Sequence, residues 1–357
     1  MGLRVLIVGG GLAGLATALV LRRSAHQVQV FEASQLEFSD TVGPLVHIGP
    51  KSNELLQQWQ FDAAVARGVL VKEAPEFNFD GTLQTKNESQ PPGWVYYERS
   101  RLHQALLDSC RALEEAGQPV KISLGTRVTA VDPETASITL NDGQLIQGDV
   151  VIGADGFHST ARQNIASKSP PGSSGPPTVA VNFKVDVTQF GHNSVVQRFQ
   201  SEPQRYEKWI GAGLELKVSA VEPESLLLFD CNVQSAPPTS DLIKDTILKT
   251  FESAYPDFTQ LLAAIEPRDI YSWTQPTLPR VQRWTFGRLA LVGDAAHPFL
   301  PHELPGTSQT LNDAATLGTQ LPSSIGVDEV PVRLAAWETP RQDRVKTIQR
   351  GERPWLG

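Results

Sequence analysis

The stretch "RVLIVGGGLAGLATALVLRRSAHQVQVFE", residues 4 to 32, decides how this chain folds. A short apolar run from Val5 to Val8 ends in three glycines. Apolar residues then recur at helical spacing from Leu12 to Arg23, and "QVQVFE" alternates at strand period over residues 27 to 32. A strand, a tight turn, a helix and a second strand thus fit into about thirty residues. Gly9, Gly11 and Gly14 form G-x-G-x-x-G at the turn, and Glu32 stands eighteen positions beyond Gly14. Gly9 permits the tight turn, Gly11 lets the backbone approach a pyrophosphate at the helix N-terminus, and Gly14 lets helix pack on strand. Glu32 can accept from a ribose hydroxyl. The bland alternative is a glycine-rich strand turn. The context of strand, helix and distant acid favours dinucleotide binding instead.

Composition narrows the remaining classes. The chain has 357 residues, 40% hydrophobic and 20% charged, enough for two domains sharing one ligand cleft. A net charge of −8 is spread over interspersed acids and bases, which argues against a nucleic-acid partner. Cys110 and Cys231 are far apart and lack metal-ligand spacing, so neither a disulfide framework nor a metal site is expected. A reducing, cytoplasmic setting is the simpler assumption. The N-terminus has an early Arg4 and an Ala-x-Ala at 16 to 18, but Gly9, Gly10 and Gly11 interrupt the apolar run a signal peptide would need. Myristoylation would want Ser or Thr where Leu6 stands. No apolar stretch reaches the roughly 20 residues of a membrane span. The expected partner is a small-molecule substrate, bound by a monomer or homodimer.

Along the chain, an amphipathic helix is expected over 51–69 and another over 100–117, with strands at 119–123, 127–131 and 136–140. The segment "KSPPGSSGPPT", 168 to 178, has almost nothing to bury and reads as a linker. Beyond it, "TVAVNFKVDV", "LELKVSAV" and "SLLLFDCNV" read as strands, followed by helices around 240–254 and 258–265. At "GRLALVGDAAH" the first texture returns, so the chain is expected to re-enter its first domain. The division predicted is 1–167 and 280–357 for a discontinuous nucleotide-binding domain and 178–279 for an inserted sheet domain.

Two further segments carry chemistry: "GDVVIGADGFHSTAR", 148 to 162, and "RLALVGDAAHPFLP", 288 to 301. Together with the N-terminal glycines they resemble the three motifs of the class A FAD-dependent monooxygenases, most of all the fungal salicylate-hydroxylase-like branch. The resemblance covers nearly the whole chain. It implies an α/β (α+β) architecture: a Rossmann-like FAD-binding domain of the glutathione-reductase-type flavoprotein fold, with an inserted mixed β-sheet substrate domain. It also implies that Asp155 and Gly156 lie near the flavin pyrophosphate and the nicotinamide entry path, with Ser159 and Arg162 holding the loop. Asp294 would bind the ribityl or phosphate end of FAD, with Gly293 and Ala295 leaving room. Arg99 would approach the FAD, Val128 would meet adenine through its backbone, and "LAAWETPRQDRV" is similar to the family's late helix. Ala13, Pro301, Gly306 and Thr307 complete the cofactor-binding set. Taken singly, Asp155 and Asp294 could equally cap turns, and Arg99 or Arg162 could sit in solvated ion pairs.

Four departures from the family pattern bear on the reaction. Pro44 and Leu45 replace a small pair beside the isoalloxazine. Leu304, Pro305 and Gly306 replace Gly-Gln-Gly, and Pro305 has no backbone donor. Asn312 and Asp313 replace a Glu-Asp pair. On the sheet, Leu214, Glu215 and Ser219 stand where Arg, His and Tyr are common, which leaves no obvious phenolate base. His47 and His302 are the candidate catalytic replacements, although loop histidines are more often structural. His297 is expected to brace the turn after Asp294, and Cys231 to be a small buried apolar residue.

The resemblance implies an oxidoreductase of secondary metabolism. It would be an FAD-dependent monooxygenase hydroxylating or epoxidising a small aromatic or polyketide-like compound, with O2 and NAD(P)H (NADH or NADPH) as a transient co-substrate. No second G-x-G-x-x-G provides a separate nicotinamide domain. Two alternatives stay open at this level: a flavoprotein of the same fold that oxidises, dehydrogenates, isomerises or cyclises its substrate, and a degenerate, non-catalytic member.

Overall fold

The computed structural model describes residues 2–35, 45–61, 63–86, 93–112, 118–166, 178–211, 214–221, 225–233, 239–275, 281–299 and 306–350. The opening stretch forms strand Arg4–Val8, helix Leu12–Arg23 and strand Gln27–Phe31, as its periodicities require. These strands lie at the centre of a six-stranded sheet. Its order is Thr285–Phe286, Leu289–Leu291, Val150–Gly153, Arg4–Val8, Gln27–Phe31 and Lys121–Ser123, so the chain's start, middle and end meet in one layer. Every pairing is parallel except the hairpin between Thr285–Phe286 and Leu289–Leu291. Val5, Ile7, Val150, Val151 and Ile152 are fully buried, as a parallel sheet covered on both faces demands. Helix Leu12–Arg23 packs between Arg99–Arg111 and Gly306–Gln320. The last contact is close: a Cβ on Gly318 would stand 2.2 Å from Val20 Cγ1.

The second layer is a seven-stranded sheet ordered Ile270–Gln275, Thr178–Asp186, Leu226–Val233, Leu214–Val221, Tyr206–Gly211, Pro75–Asn78 and Leu83–Lys86. The sheet expected over 178–279 therefore also takes in two strands from the chain's first quarter. One face is apolar. Val181, Phe183, Phe229, Leu216, Val218 and Trp209 form a core with helices Ser194–Ser201, Ser240–Thr250 and Pro256–Ala263. The alternate residues point the other way, and Asn182, Asp230, Lys217, Ser219 and Lys208 among them are polar.

Two helical expectations change. The helix over 51–69 ends at Gln58, because Gln60 adopts a left-handed φ of 54° and the chain turns before a short helix, Ala63–Ala66. Helix Ser194–Ser201 has no counterpart in the sequence reading. Its start is fixed by Asn193, whose side chain accepts from the Val195 and Val196 amides. No described helix is long and apolar enough to cross a membrane.

Candidate functional site

The glycine turn is built as its spacing implies. Gly9 has φ +103°, and a Cβ there would lie 2.4 Å from the Ala154 carbonyl oxygen. A Cβ on Gly14 would lie 1.9 Å from the Gly9 carbonyl oxygen, so helix and strand can meet only at glycine. Gly11 differs: no atom lies within 4 Å of where its Cβ would be, and it caps helix Leu12–Arg23 without any side-chain acceptor. The first helical amides therefore face open space and favour an anion.

A cavity of about 500 Å³ opens there, in the range of small-molecule sites. It brings together Gly9, Gly11, Glu32, Val128, Asp155 and Gly156 from the candidate set. It also adds His103, Arg111 and Arg127, which the sequence reading passed over. Glu32 accepts from the Gly10 amide at 2.7 Å and from the Ser34 amide at 2.8 Å, which holds its carboxylate at the cavity wall. His103 contacts the Gly10 carbonyl at 2.7 Å and pins the turn from behind. Gly156 has φ +73° and, like Gly11, leaves open space beyond its Cα. Asp155 does not aim its carboxylate at a ligand. It accepts from Ser159 Oγ at 2.5 Å and from the Thr160 and Ala161 amides at 2.6 and 3.1 Å, capping helix Thr160–Ala166.

A second group lies beside the cavity. Gly293 has φ +59°, and its Cβ would meet Ala13 Cβ at 2.9 Å, so Ala13 and Gly293 close the floor together. Arg162 donates to the carbonyls of Asp294 and Ala295, each at 3.1 Å, and to that of Phe157. One guanidinium thus ties the 155–159 loop to the 293–295 turn. Asp294 is exposed although protein crowds it closely. That crowding pushes its carboxyl up, while Arg99, His297 and Arg162 pull it down. Arg99 begins helix Arg99–Arg111; burial depresses its guanidinium and Asp294 opposes the effect.

Behind the turn, a network the sequence reading did not assemble holds it in place. Asp313 is fully buried. It accepts from the Gly293 amide at 2.9 Å, contacts His297 Nε2 at 2.6 Å and accepts from Arg341 Nε at 2.9 Å. Burial would push this carboxyl up, but His297, Arg341 and the Gly293 amide outweigh it and hold it below the usual range. His297 braces the turn as its position suggested. Gly306 and Thr307 open helix Gly306–Gln320. Asn312 sits a turn and a half further on and is engaged within the protein, donating to Ser52 Oγ at 2.9 Å and to the Ser308 carbonyl at 2.7 Å. Pro44, Pro301, His302, Leu304 and Pro305 lie outside the described residues.

His47 lies on strand Leu45–Ile48. Val46 and Ile48 of that strand enter the first core, which turns Leu45 and His47 toward the sheet lobe. Its ring meets Tyr206 edge-on at 4.9 Å and Tyr96 at 6.0 Å. Burial first, and the Lys217 charge second, lower its pKa to about 3, so the imidazole stays neutral. Cys231 is buried among apolar side chains, which push its thiol up to about 12.

The backbone cradle, the open space at Gly11 and Gly156, and the uncapped helix amides fit the diphosphate and adenosine half of FAD. Residues 2–351 match the family model described as FAD binding domain. The hispidin-3-hydroxylase of Neonothopanus nambi is 28% identical, over 97% of this chain and 86% of its own length. The FAD-dependent monooxygenase cfoG of Aspergillus candidus is 27% identical, over 98% of this chain and 84% of its own. The crystal structure of FqzB shares the fold, with a TM-score of 0.81 at 24% identity, covering 98% of this chain and 83% of that one. The chain belongs to the FAD binding domain family, with FAD as its cofactor, and is an FAD-dependent monooxygenase.

Proposed function

We propose that the protein hydroxylates or epoxidises a small aromatic or polyketide-like secondary metabolite, using NAD(P)H and O2. It would act in the cytoplasm as a monomer or homodimer. One observation carries the reading: the chain builds a dinucleotide cradle on its first sheet, and its seven-stranded sheet turns Asn182, Asp230, Lys217 and Lys208 to the face opposite its apolar core. Hispidin-3-hydroxylase, by its name, adds a hydroxyl group to hispidin, which supports hydroxylation as the reaction.

The division of labour follows the two layers. Residues 1–167 and 280–357 would hold FAD: Gly9, Gly11 and the helix amides at the pyrophosphate, Glu32 at the ribose, Val128 at adenine, and Gly293 to Ala295 at the ribityl end. Bound there, FAD supplies electron storage and oxygen activation, while the protein contributes position and exclusion of water. Residues 178–279, with the strands Pro75–Asn78 and Leu83–Lys86, would hold the substrate. His47 stays neutral above its depressed pKa of about 3, so it serves as a hydrogen-bonding group, with one nitrogen donating and the other accepting, rather than as a proton carrier.

The test is direct. Purified protein should be yellow with about one flavin per chain. NADH or NADPH should bleach it without air, and oxygen uptake should then match a product heavier by one oxygen atom. A bound flavin that neither nicotinamide reduces, with phenolic and polyketide candidates present, would exclude the reading.

A further inference from the structure

The apolar side of the seven-stranded sheet holds a fully buried acid, Glu207, with Arg205 two residues before it and Arg198 above it on helix Ser194–Ser201. Arg198 grips the carboxylate twice, Nε to Oε1 at 2.7 Å and Nη2 to Oε2 at 3.0 Å. Arg205 Nε donates to Oε1 at 2.6 Å, and Trp209 Nε1 to Oε2 at 3.0 Å. The far end of Arg205 reaches outward, where Nη1 donates to Glu73 at 2.7 Å and to Glu202 at 3.0 Å, both half exposed. Replacing buried ion pairs with apolar residues is often neutral or stabilising. Bonding this complete is therefore better explained by the geometry it imposes than by the stability it adds.

Glu73 lies on the stretch of chain that ties the two lobes together. Strand Val69–Leu70 pairs with Val95–Glu98, which also pairs with Leu45–Ile48, whereas Pro75–Asn78 pairs with Tyr206–Gly211 of the seven-stranded sheet. Between these pairings the chain docks on residues 204 to 206. The Lys72 amide donates to the Gln204 carbonyl and the Tyr206 amide to the Glu73 carbonyl, each at 2.9 Å, and Glu73 and Arg205 form a parallel bridge. The apolar contact at this junction is small: Val71, Trp94, Tyr96 and Tyr206 form a cluster apart from the two main cores. Tyr206 turns to the side opposite Arg205 and Glu207, where its ring meets His47.

We propose that Arg205, seated on Glu207, is a positioning residue that clamps the 69–78 strap through Glu73 and so fixes how the nucleotide-binding lobe sits against the sheet lobe. The guanidinium suits the task because its Nε serves the buried acid while its Nη1 serves the strap. A lysine ammonium, a single head on a flexible stem, cannot span both. The inner end of the clamp is sealed in the core and is screened little by salt. The outer end, at Glu73 and Glu202, is open to solvent and weakens as ions are added. Loosening should therefore begin at the strap, with the seat on Glu207 intact. Once the strap is loose, the lobes lose their fixed spacing while each keeps its own core.

Hydrogen exchange read by mass spectrometry on the FAD-loaded protein tests the clamp without turnover. Glu73→Gln leaves the buried seat untouched, so folding is not at stake. It should speed exchange in peptides covering 69–78 and 204–210 by about fivefold, the size of one half-exposed ion pair, and leave 4–32 unchanged. Arg205→Lys should do at least as much, and adding Glu73→Gln to it should change nothing further, because both cut the same tie. Raising salt from about 0.05 M to about 1 M should speed strap exchange in the wild type and do so less in Glu73→Gln. Under turnover, both variants should divert more NAD(P)H to hydrogen peroxide per product formed, with flavin content unchanged. Strap exchange equal to the wild type in both variants, or additive effects in the double variant, overturns the proposal. Faster strap exchange with an unchanged ratio of product to NAD(P)H overturns it too, since the clamp would then serve stability alone. A wild type that makes no oxygenated product removes the monooxygenase reading only, and the exchange comparison still decides the clamp.

Discussion

The two halves of the site are made of different material. The dinucleotide cradle is mostly backbone: Gly9, Gly11, Gly14, Gly156 and Gly293 contribute space and amides, and few side chains are aimed at the ligand. The sheet face is side chain throughout, with Asn182, Asp230, Lys217, Glu215 and Tyr206 spread over four strands. A backbone cradle binds a group common to many proteins and tolerates little change. A side-chain wall can be rewritten residue by residue while the fold stays the same. Damage to the first should therefore remove cofactor and stability together. Damage to the second should alter chemistry and leave the flavin in place.

The sharpest way to break that contrast is Gly14→Val. Its Cβ would lie 1.9 Å from the Gly9 carbonyl oxygen, a backbone atom with no rotamer to move. Separating helix from strand would cost about 3 kcal/mol, the upper end of what overpacking usually costs. It would also displace the amides at Gly11. The variant is expected to purify colourless or as aggregate, read as the ratio of flavin to protein absorbance. Stoichiometric flavin in a soluble Gly14→Val protein would mean that the cradle is softer than its geometry indicates.

Next in size is Asp313→Ala. This carboxylate is the buried counter-charge of Arg341, the partner of His297 and the acceptor for the Gly293 amide. Removing one member of a buried pair strands the other and costs about 3–5 kcal/mol. Because the folded-state pKa is depressed, the unfolded chain binds the proton more readily. The stabilisation is present above the ordinary carboxylate pKa and is lost as pH falls through the folded value. Urea midpoints should fall on acidification in the wild type, and Asp313→Asn should flatten that limb. Equal acid sensitivity in the two proteins would place the network outside the stability of the turn.

The contrast also explains how much of the molecule could be read from its sequence. The cradle was legible because glycine spacing within one short segment encodes it, and nothing distant has to be known to place Gly9, Gly11 and Gly14. The polar row was not. Glu215, Lys217 and Ser219 alternate with Leu216, Val218 and Ala220, so the sequence does mark a two-faced strand. Nothing in it states that Lys217 stands opposite Asp230, or that Asp230 stands opposite Asn182, because register depends on pairing partners as well as on the strand itself. Asp313 was hidden for a related reason. Its partners Gly293, His297 and Arg341 are brought together only when the last two long helices pack on the turn. Strands Pro75–Asn78 and Leu83–Lys86 were missed because they are short and join a sheet whose other strands begin about a hundred residues later.

His47 sits between the two regions and tests where one ends. Its pKa, lowered from 6.5 to about 3, means that the unfolded state takes up the proton first as pH falls. Stability is complete above pH 6.5 and declines below it by about 1.4 kcal/mol per unit. At pH 5 the loss should reach about 2 kcal/mol. His47→Phe should remove this slope, measured as urea midpoints between pH 4.5 and 7.5. A slope unchanged in the variant would show that His47 is not the buried neutral group.

The smallest effect should come from Asn312→Ala. In the sequence this residue, with Asp313, stands in place of the family's Glu-Asp pair, one of the departures that bear on the reaction. In the structure its amide spans to Ser52 Oγ and the Ser308 carbonyl, joining helix Gly306–Gln320 to helix Pro50–Gln58. The Ser308 hydroxyl in turn accepts from the Gly49 amide at 2.9 Å, so the bridge steadies the strand that carries His47. Two part-buried hydrogen bonds with neutral partners contribute about 1 kcal/mol together, partly offset by the better helix propensity of alanine. Asn312→Ala should therefore shift the thermal midpoint by only a few degrees and leave flavin absorbance, its rate of reduction by NAD(P)H and product yield nearly unchanged. A large loss of coupling between NAD(P)H consumption and product, with stability intact, would return Asn312 to the reactive side and move the boundary between the two regions into helix Gly306–Gln320.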